Sequence, residues 1–237
     1  ALALGVNREH FEVIGDSKYD ALQTMTDEEK ERLRQTFKLQ ANTPVWIAGS
    51  THAGEEEIIL NAHRLLLAKH PDLVLILAPR RMERVKEVAA LLKKENFSFV
   101  LRSSLENAES TSVILLDTMG ELARVYSLGQ IAFVGRSLVQ PGGGHSLIEP
   151  LSHGLAVLHG PYVENISHVS ETAHNQGLVF QMTNPEELEQ KVHTLLKNPS
   201  HRLEISEKAK IFIAQQQGAA NKMADIITQC LNFPKPN

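Results

Sequence analysis

Several kinds of protein are excluded by what this chain has little of. Its 237 residues include one cysteine, Cys230, which rules out an internal disulfide framework and any multi-cysteine zinc site. A reducing compartment is the simplest reading of that scarcity. Positive charge is not in excess: 24 Lys and Arg face 28 Asp and Glu, a formal net charge of -4. With only three Tyr and one Trp, the chain has neither the basic stripe nor the stacking rings of a nucleic-acid binder, so no nucleic-acid partner is expected. No apolar run approaches the ~20 residues of a membrane helix. The longest, Leu73 to Ala78, has the length of a buried strand. None of the eleven histidines stands in His-Glu-x-x-His spacing. No Asp-x-Asp pair suggests a metal-held diphosphate, and no Gly-x-Ser-x-Gly elbow surrounds Ser137. Ala1 to Val6 reads as neither an initiator Met nor a signal peptide, so the expectation is a piece that begins inside a longer protein.

What is present alternates. Val45–Ala48, Leu73–Ala78, Ser98–Leu101, Val113–Leu116, Ile131–Val134 and Ala156–Leu158 are short, nearly continuous apolar runs, the pattern of parallel strands covered on both faces. Helical patterns fill the gaps. Thr26 and Glu29 have capping-box spacing. Residues 55–69 carry a stripe of Ile58, Ile59, Ala62, Leu65 and Leu66. Residues 82–95 repeat that logic, and 121–127 predict a shorter helix. After Val179-Phe180 only helices are expected, beginning with Asn184 as cap and Pro185 in the first turn; Asn198-Pro199-Ser200 then breaks the chain. The fold class is α/β, a Rossmann-like doubly wound parallel sheet with a helical C-terminal tail. The organisation predicted is a linker and lead-in over 1–20 with a turn at Gly15-Asp16-Ser17, a nucleotide-type domain over 21–180, and helices over 181–237 that pack on it and on a neighbouring domain.

Ligands of open α/β sheets sit outside the carboxyl ends of the strands, so the residues after each strand are the candidates. Gly49-Ser50-Thr51-His52-Ala53-Gly54-Glu55 offers hydroxyls and a helix N-terminus to an anion, or is a plain turn with a hydroxyl cap. Pro79-Arg80-Arg81 places a guanidinium, Arg80, at a strand end where it can fork onto a phosphate. In Asp117-Thr118-Met119-Gly120-Glu121, Gly120 allows a flat base near the main chain, while Asp117 or Thr118 caps the helix. Gly135-Arg136-Ser137 follows the fifth run. Gln140-Pro141-Gly142-Gly143-Gly144-His145-Ser146-Leu147-Ile148-Glu149 then predicts a nest of backbone amides for a phosphate, with Glu149 for ribose hydroxyls. Its alternative is a capping box of Ser146 and Glu149. His52 and His145 are candidate donors to a phosphate or sugar carboxylate. The loop from His159 to Asn165 either closes over a sugar or is structural, and residue type alone favours the structural reading.

These segments resemble, in order, those of 3-deoxy-D-manno-octulosonic acid (Kdo) transferases of lipopolysaccharide synthesis: Gly15 to Asp20, Ala48 to Glu57, Pro79-Arg80, Asp117 to Leu122, Ala132 to Val139, Gly143 to Pro150 and Gly160-Pro161. The chain departs from the family pattern at Arg81 (usually His), at Ser146-Leu147 (usually Asn-Pro) and at Ile166 (usually Phe). The resemblance implies the C-terminal half of a GT-B glycosyltransferase, an inverting enzyme that takes Kdo from CMP-Kdo without a metal or other cofactor. It implies CMP or donor contacts at Pro79, Arg80, Met119, Gly120, Glu121, Ser146, Leu147, Ile148 and Glu149. Ser50, Thr51, Gly135, Ser137, Gly144 and His145 join them as candidates around the donor's phosphate. No catalytic residue is expected in this chain. The resemblance assigns the general base, the lipid A precursor site and the membrane attachment to an N-terminal domain, on the cytoplasmic face of the bacterial inner membrane. The alternatives are a UDP-sugar-dependent GT-B domain and a non-catalytic nucleotide-binding module.

Overall fold

Residues two apart along a strand share a face, and the first long strand sorts its side chains accordingly. Trp46 and Ala48 join one buried cluster with Leu75, Leu77, Phe133 and Leu158, while Val45 and Ile47 join a second with Ile76, Ile114 and Ala132. A computed structural model describes residue 5 and residues 11–22, 24–107 and 111–232. Its centre is a seven-stranded parallel sheet of β1 (Val45–Thr51), β2 (Val74–Pro79), β3 (Phe99–Leu101), β4 (Val113–Leu115), β5 (Ile131–Val134), β6 (Ala156–His159) and β7 (Val179–Gln181), in the order β3-β4-β2-β1-β5-β6-β7. Each of the six expected runs is a strand. β7, which lies between Gly177 and the Thr183 loop, was not among them: three residues are too few to show a period, and its pairing Val157↔Val179 comes from β6.

Helices cover both faces. α1 (Asp27–Thr36) opens with the expected capping box, Thr26 accepting from the Glu29 amide and Glu29 from that of Thr26. α2 (Glu55–Leu67) buries Ile59, Ala62 and Leu66 but leaves Leu65 45% exposed, because that position lies off the buried stripe. α3 (Val85–Lys94), α4 (Leu122–Val125), α5 (Ile148–Ser152) and α6 (Ser167–Asn175) follow their strands. Asn184 caps α7 (Pro185–Lys197) as expected. Asn198 ends α7 and accepts from the His201 amide, so the expected break is also the cap of α8 (Pro199–Gln216). α7 packs on α2, and α8 on α5 and β6.

The expected lead-in is partly described. Asp16 starts a short 3-10 turn over Ser17–Tyr19, with Tyr19 buried. Asp20 accepts from the Gly218 and Ala220 amides at 2.6 and 2.8 Å, tying the lead-in to the start of α9 (Ala219–Asn232). The rest of the 1–20 expectation, at residues 1–4 and 6–10, and the end of the 181–237 helical tail, residues 233–237, lie outside the described residues. No described helix is long and apolar enough to cross a membrane.

Under β1 a buried polar chain fixes one imidazole tautomer. Trp46 Nε1 donates to His63 Nδ1 at 3.1 Å, which leaves His63 Nε2 to donate to the Ser112 carbonyl at 3.0 Å. Burial lowers the His63 pKa to about 4.

Candidate donor-binding site

The order of the sheet reverses at β1, with β2 on one side and β5 on the other, so a crevice opens above the carboxyl ends of β1 and β5. Glu55, the first residue of α2 and fully buried, holds the two loops of that crevice together. Its Oε2 accepts from the amides of His52 and Arg136 at 2.8 and 2.7 Å, and its Oε1 from those of Ser137 and Leu138 at 2.7 and 2.8 Å. The loops approach so closely that a Cβ on Gly135 would stand 2.4 Å from the Ser50 carbonyl oxygen. Next to this clamp, Thr51 donates to Glu56 at 2.8 Å and Arg84 pairs with the same carboxylate at 2.6 Å.

Several expected contacts therefore belong to the frame. Gly49 to Thr51 continue β1 instead of forming a loop, and Gly49 is needed because a Cβ would lie 2.0 Å from Tyr126 Oη. Thr51 has its hydroxyl committed to Glu56. Ser137 is fully buried; its hydroxyl donates to the Val134 carbonyl at 2.7 Å and accepts from the Gly160 amide at 2.8 Å. Gly135 gives its amide to Gly49.

The triple-glycine loop is corrected in the same sense. The amides of Gly143, Gly144 and His145 donate to the carbonyls of Tyr162, Arg136 and Gly135 at 3.2, 2.8 and 3.2 Å, so they are not a phosphate nest. Added Cβ atoms on Gly142, Gly143 and Gly144 would strike Tyr162, Asn165 and Ile166 within 2.1–2.5 Å. The glycines let the loop after β6 pack against the loop after β5. The Ser146–Glu149 capping box does not form either: α5 begins at Ile148, and Ser146 Oγ accepts from the Ile148 amide at 3.3 Å. Among the described residues the amides of Ser146 and Leu147 find no acceptor; Ser146 is exposed, so its amide is the available donor just beyond the glycines. Leu147 and Ile148 are buried as whole residues, at 1% and 6% exposure, so neither side chain lines the crevice. Asp117 and Thr118 do not cap α4: Asp117 takes the Ser103 amide and hydroxyl, and Thr118 donates to Glu121.

The remaining candidates gather on the open side. Pro79 ends β2 against Thr51, and the Arg80 amide donates to the Thr51 carbonyl at 3.0 Å, setting Arg80 at the rim. Its positive charge acts on both Glu149 and His145. Burial raises the Glu149 pKa while Arg80 opposes the rise. His145 Nε2 lies 2.9 Å from His52 Nε2 in a stacked pair. Burial lowers the pKa of both, that of His145 to about 4, and the charges of Arg80 and Arg136 add to the effect there. The pair is thus neutral near pH 7, one Nε2 donating to the other. Beside Glu149 a cavity of about 190 Å³ is lined by Leu22, Met25, Gly120, Arg124 and His153. Gly120 has a positive φ of 78° with nothing crowding it, Met119 is 84% exposed, and Glu121 is held by Arg102 at 3.1 Å. Ser50, also at positive φ, stays half-buried at the end of β1. Sequence reasoning passed over Glu55 and Arg136. Glu55 carried a readable signal, an acid in the first turn of a helix following a strand; the role of Arg136 depends on loop geometry.

A doubly wound parallel sheet that opens a crevice at its switch point, with a guanidinium and a half-buried glutamate beside it, is a GT-B-like, Rossmann-type domain. The chain belongs to the family of glycosyl transferases group 1, whose family model matches residues 42–212. It is 39% identical over 230 residues to a 3-deoxy-D-manno-octulosonic acid transferase of Haemophilus influenzae, covering 94% of this chain and 52% of that protein. It is 38% identical over 173 residues to a probable mitochondrial 3-deoxy-D-manno-octulosonic acid transferase of Arabidopsis thaliana, covering 71% and 39%. Among solved structures, the C-terminal CMP-Kdo binding domain of WaaA from Acinetobacter baumannii superposes with a TM-score of 0.72 at 31% identity, covering 79% of this chain and 97% of that one. The chain spans about half the length, or less, of these curated relatives.

Proposed function

We propose that this chain is the donor-binding half of a Kdo transferase, holding CMP-Kdo while Kdo passes to a lipid A precursor on the cytoplasmic face of the bacterial inner membrane. The observation that carries the reading is the row Gly120–Glu149–Arg80–His145 along the switch-point crevice, in a domain that matches nearly the whole of a CMP-Kdo binding domain. In this scheme the backbone of Met119 to Glu121 meets cytosine, Glu149 meets the ribose hydroxyls, and Arg80 with the Ser146 amide meets the phosphate. Departure of CMP puts negative charge on that phosphate, and the guanidinium and amide stabilise it as it develops. The scheme uses no metal ion. The acceptor hydroxyl attacks the anomeric carbon from the face opposite CMP, inverting it, and gives its proton to a carboxylate of an acceptor-binding half. Lipid A precursor and membrane contacts belong to that half.

Calorimetric titration of the 237-residue chain with CMP and with UMP tests the reading. The expected result is saturable CMP binding, UMP binding weaker by ~10-fold, about the worth of one lost hydrogen bond, and no sugar transfer by the chain alone. Preference for UMP, or transfer without an acceptor-binding half, overturns it.

A further inference from the structure

A second cavity lies apart from the one beside Glu149 and shares no lining residue with it. It is an open groove of about 570 Å³ between the loops after β5 and β6, lined by Arg136, Gln140, Gly142, Gly143, Glu164 and Asn165. Its volume falls within the ~300–1,000 Å³ of ligand sites. Its polar lining combines one guanidinium, one carboxylate and two carboxamides, a set suited to hydroxyls and one anionic group. Among the described residues Arg136 has no acidic partner, although its backbone is pinned on both sides: its amide by Glu55 at 2.7 Å and its carbonyl by Gly144 at 2.8 Å. The pinned main chain stands at a positive φ of 60°, a conformation that a non-glycine residue holds only when its surroundings dictate it.

Two guanidiniums without an ion pair among the described residues, Arg80 and Arg136, have distinct neighbours. Arg80 acts on Glu149 and His145, at the nucleotide end; Arg136 acts on His145 and His52, at the groove end. Both cations act on His145. A 2-keto sugar acid linked to a nucleotide carries two anionic groups on one anomeric carbon, the phosphate ester and the carboxylate. We infer that Arg136 pairs with the carboxylate of the donor sugar, with the groove from Gln140 to Asn165 holding the sugar's hydroxyl-bearing body. The inference rests on the CMP-Kdo reading. It makes Arg136 the residue that distinguishes a sugar-acid donor from a neutral nucleotide sugar, because a guanidinium left without its anion in a binding site loses a charge-assisted contact.

The test compares CMP with freshly synthesised CMP-Kdo on the 237-residue chain, by calorimetry within the donor's lifetime, for the wild type, Arg136→Gln and Arg80→Gln. The wild type is expected to bind CMP-Kdo ~10-fold or more tightly than CMP, the size of one charge-assisted hydrogen bond. Arg136→Gln is expected to lose that gain and keep CMP affinity within about twofold, since CMP has no carboxylate. Arg80→Gln is expected to weaken both ligands together. Retained CMP binding also reports that Arg136→Gln is folded, and Glu164→Ala, away from the pinned backbone, is expected to reduce the gain with CMP unaffected. If Arg136→Gln binds CMP normally and keeps the full gain, the sugar-acid subsite is overturned and the nucleotide site stands. If no variant and no wild-type chain binds CMP, the donor-site reading falls and the subsite falls with it.

Discussion

Two glutamates face the same crevice, and their surroundings are opposite. Glu55 gives all its acceptor capacity to four backbone amides and is sealed from water. Glu149 has no hydrogen-bond donor to its carboxylate among the described residues, is half-buried, and has its pKa raised by that burial against the pull of Arg80. The first is finished before any ligand arrives; the second is left for one to complete. The same division runs through the neighbouring residues. Thr51, Ser137, Gly135 and the amides of Gly143 to His145 are spent on the protein itself, whereas Arg80, Arg136 and the Ser146 amide are open. Polar residue types at a strand end therefore do not by themselves mark ligand contacts; what marks them is an unmet hydrogen-bonding or charge requirement.

The sharpest break in this contrast is Glu55→Gln. It keeps the volume but turns an –NH2 toward two backbone donors and removes the charge that satisfied all four. Breaking a buried charged group away from its donors costs about 4 kcal/mol. Urea unfolding of the 237-residue chain is expected to show a loss of that size. An equal change at Glu149 is expected to leave stability close to wild type, because the site asks nothing structural of that carboxylate.

Acid is the next probe of the frame. His63 has a folded-state pKa of about 4, below the ordinary value of 6.5, because burial disfavours its charged form. As pH falls, the unfolded chain takes up this proton before the folded one does. The contribution of neutral His63 to stability is thus complete above pH 6.5 and is lost between about 6.5 and 4, with a total on the order of 3 kcal/mol. Urea midpoints at pH 7.5 and 4.5, for wild type and for His63→Gln, measure it: the variant is expected to be less stable at pH 7.5 and to lose less on acidification. His145 has a similarly lowered pKa but lies in the crevice, so its proton affinity is expected to respond to an anionic ligand where that of His63 does not.

Most of the frame was legible from residue order because strands buried on both faces appear as continuous apolar runs, and capping residues such as Thr26 and Asn184 sit within three positions of what they cap. The glycine loop was not legible in detail. The amides of Gly143 and Gly144 are claimed by carbonyls at Tyr162 and Arg136, partners set by how three loops meet and not by local spacing. A run of glycines before a short helix looks the same whether it cradles a phosphate or admits a neighbouring loop. Ser137 misled for a related reason: a hydroxyl after a strand has no sequence mark that says whether it faces out or down. Arg80 and Gly120 were legible because each follows a strand whose direction was already known, and that direction sends the following residues to one edge of the sheet; Glu149 lies in α5, well past β5, and was legible from its place one turn after the glycines.

Ser137 and Arg80 give the finest test of the contrast, since both stood as phosphate contacts at the end of a strand. The Ser137 hydroxyl bridges the Val134 carbonyl and the Gly160 amide, and no room exists there for anything larger, as a Cβ on Gly160 would lie 2.0 Å from the Ser137 carbonyl oxygen. Ser137→Ala strands one buried amide and leaves the crevice lining untouched. The expected cost is about 1.5 kcal/mol of folding stability, with CMP affinity unchanged within error. Arg80→Gln is expected to do the reverse, since its guanidinium supports no part of the fold. If Ser137→Ala weakens CMP as Arg80→Gln does, the line between frame and site has been drawn in the wrong place, and the loop after β5 reaches the ligand through a movement that the ligand-free geometry does not display.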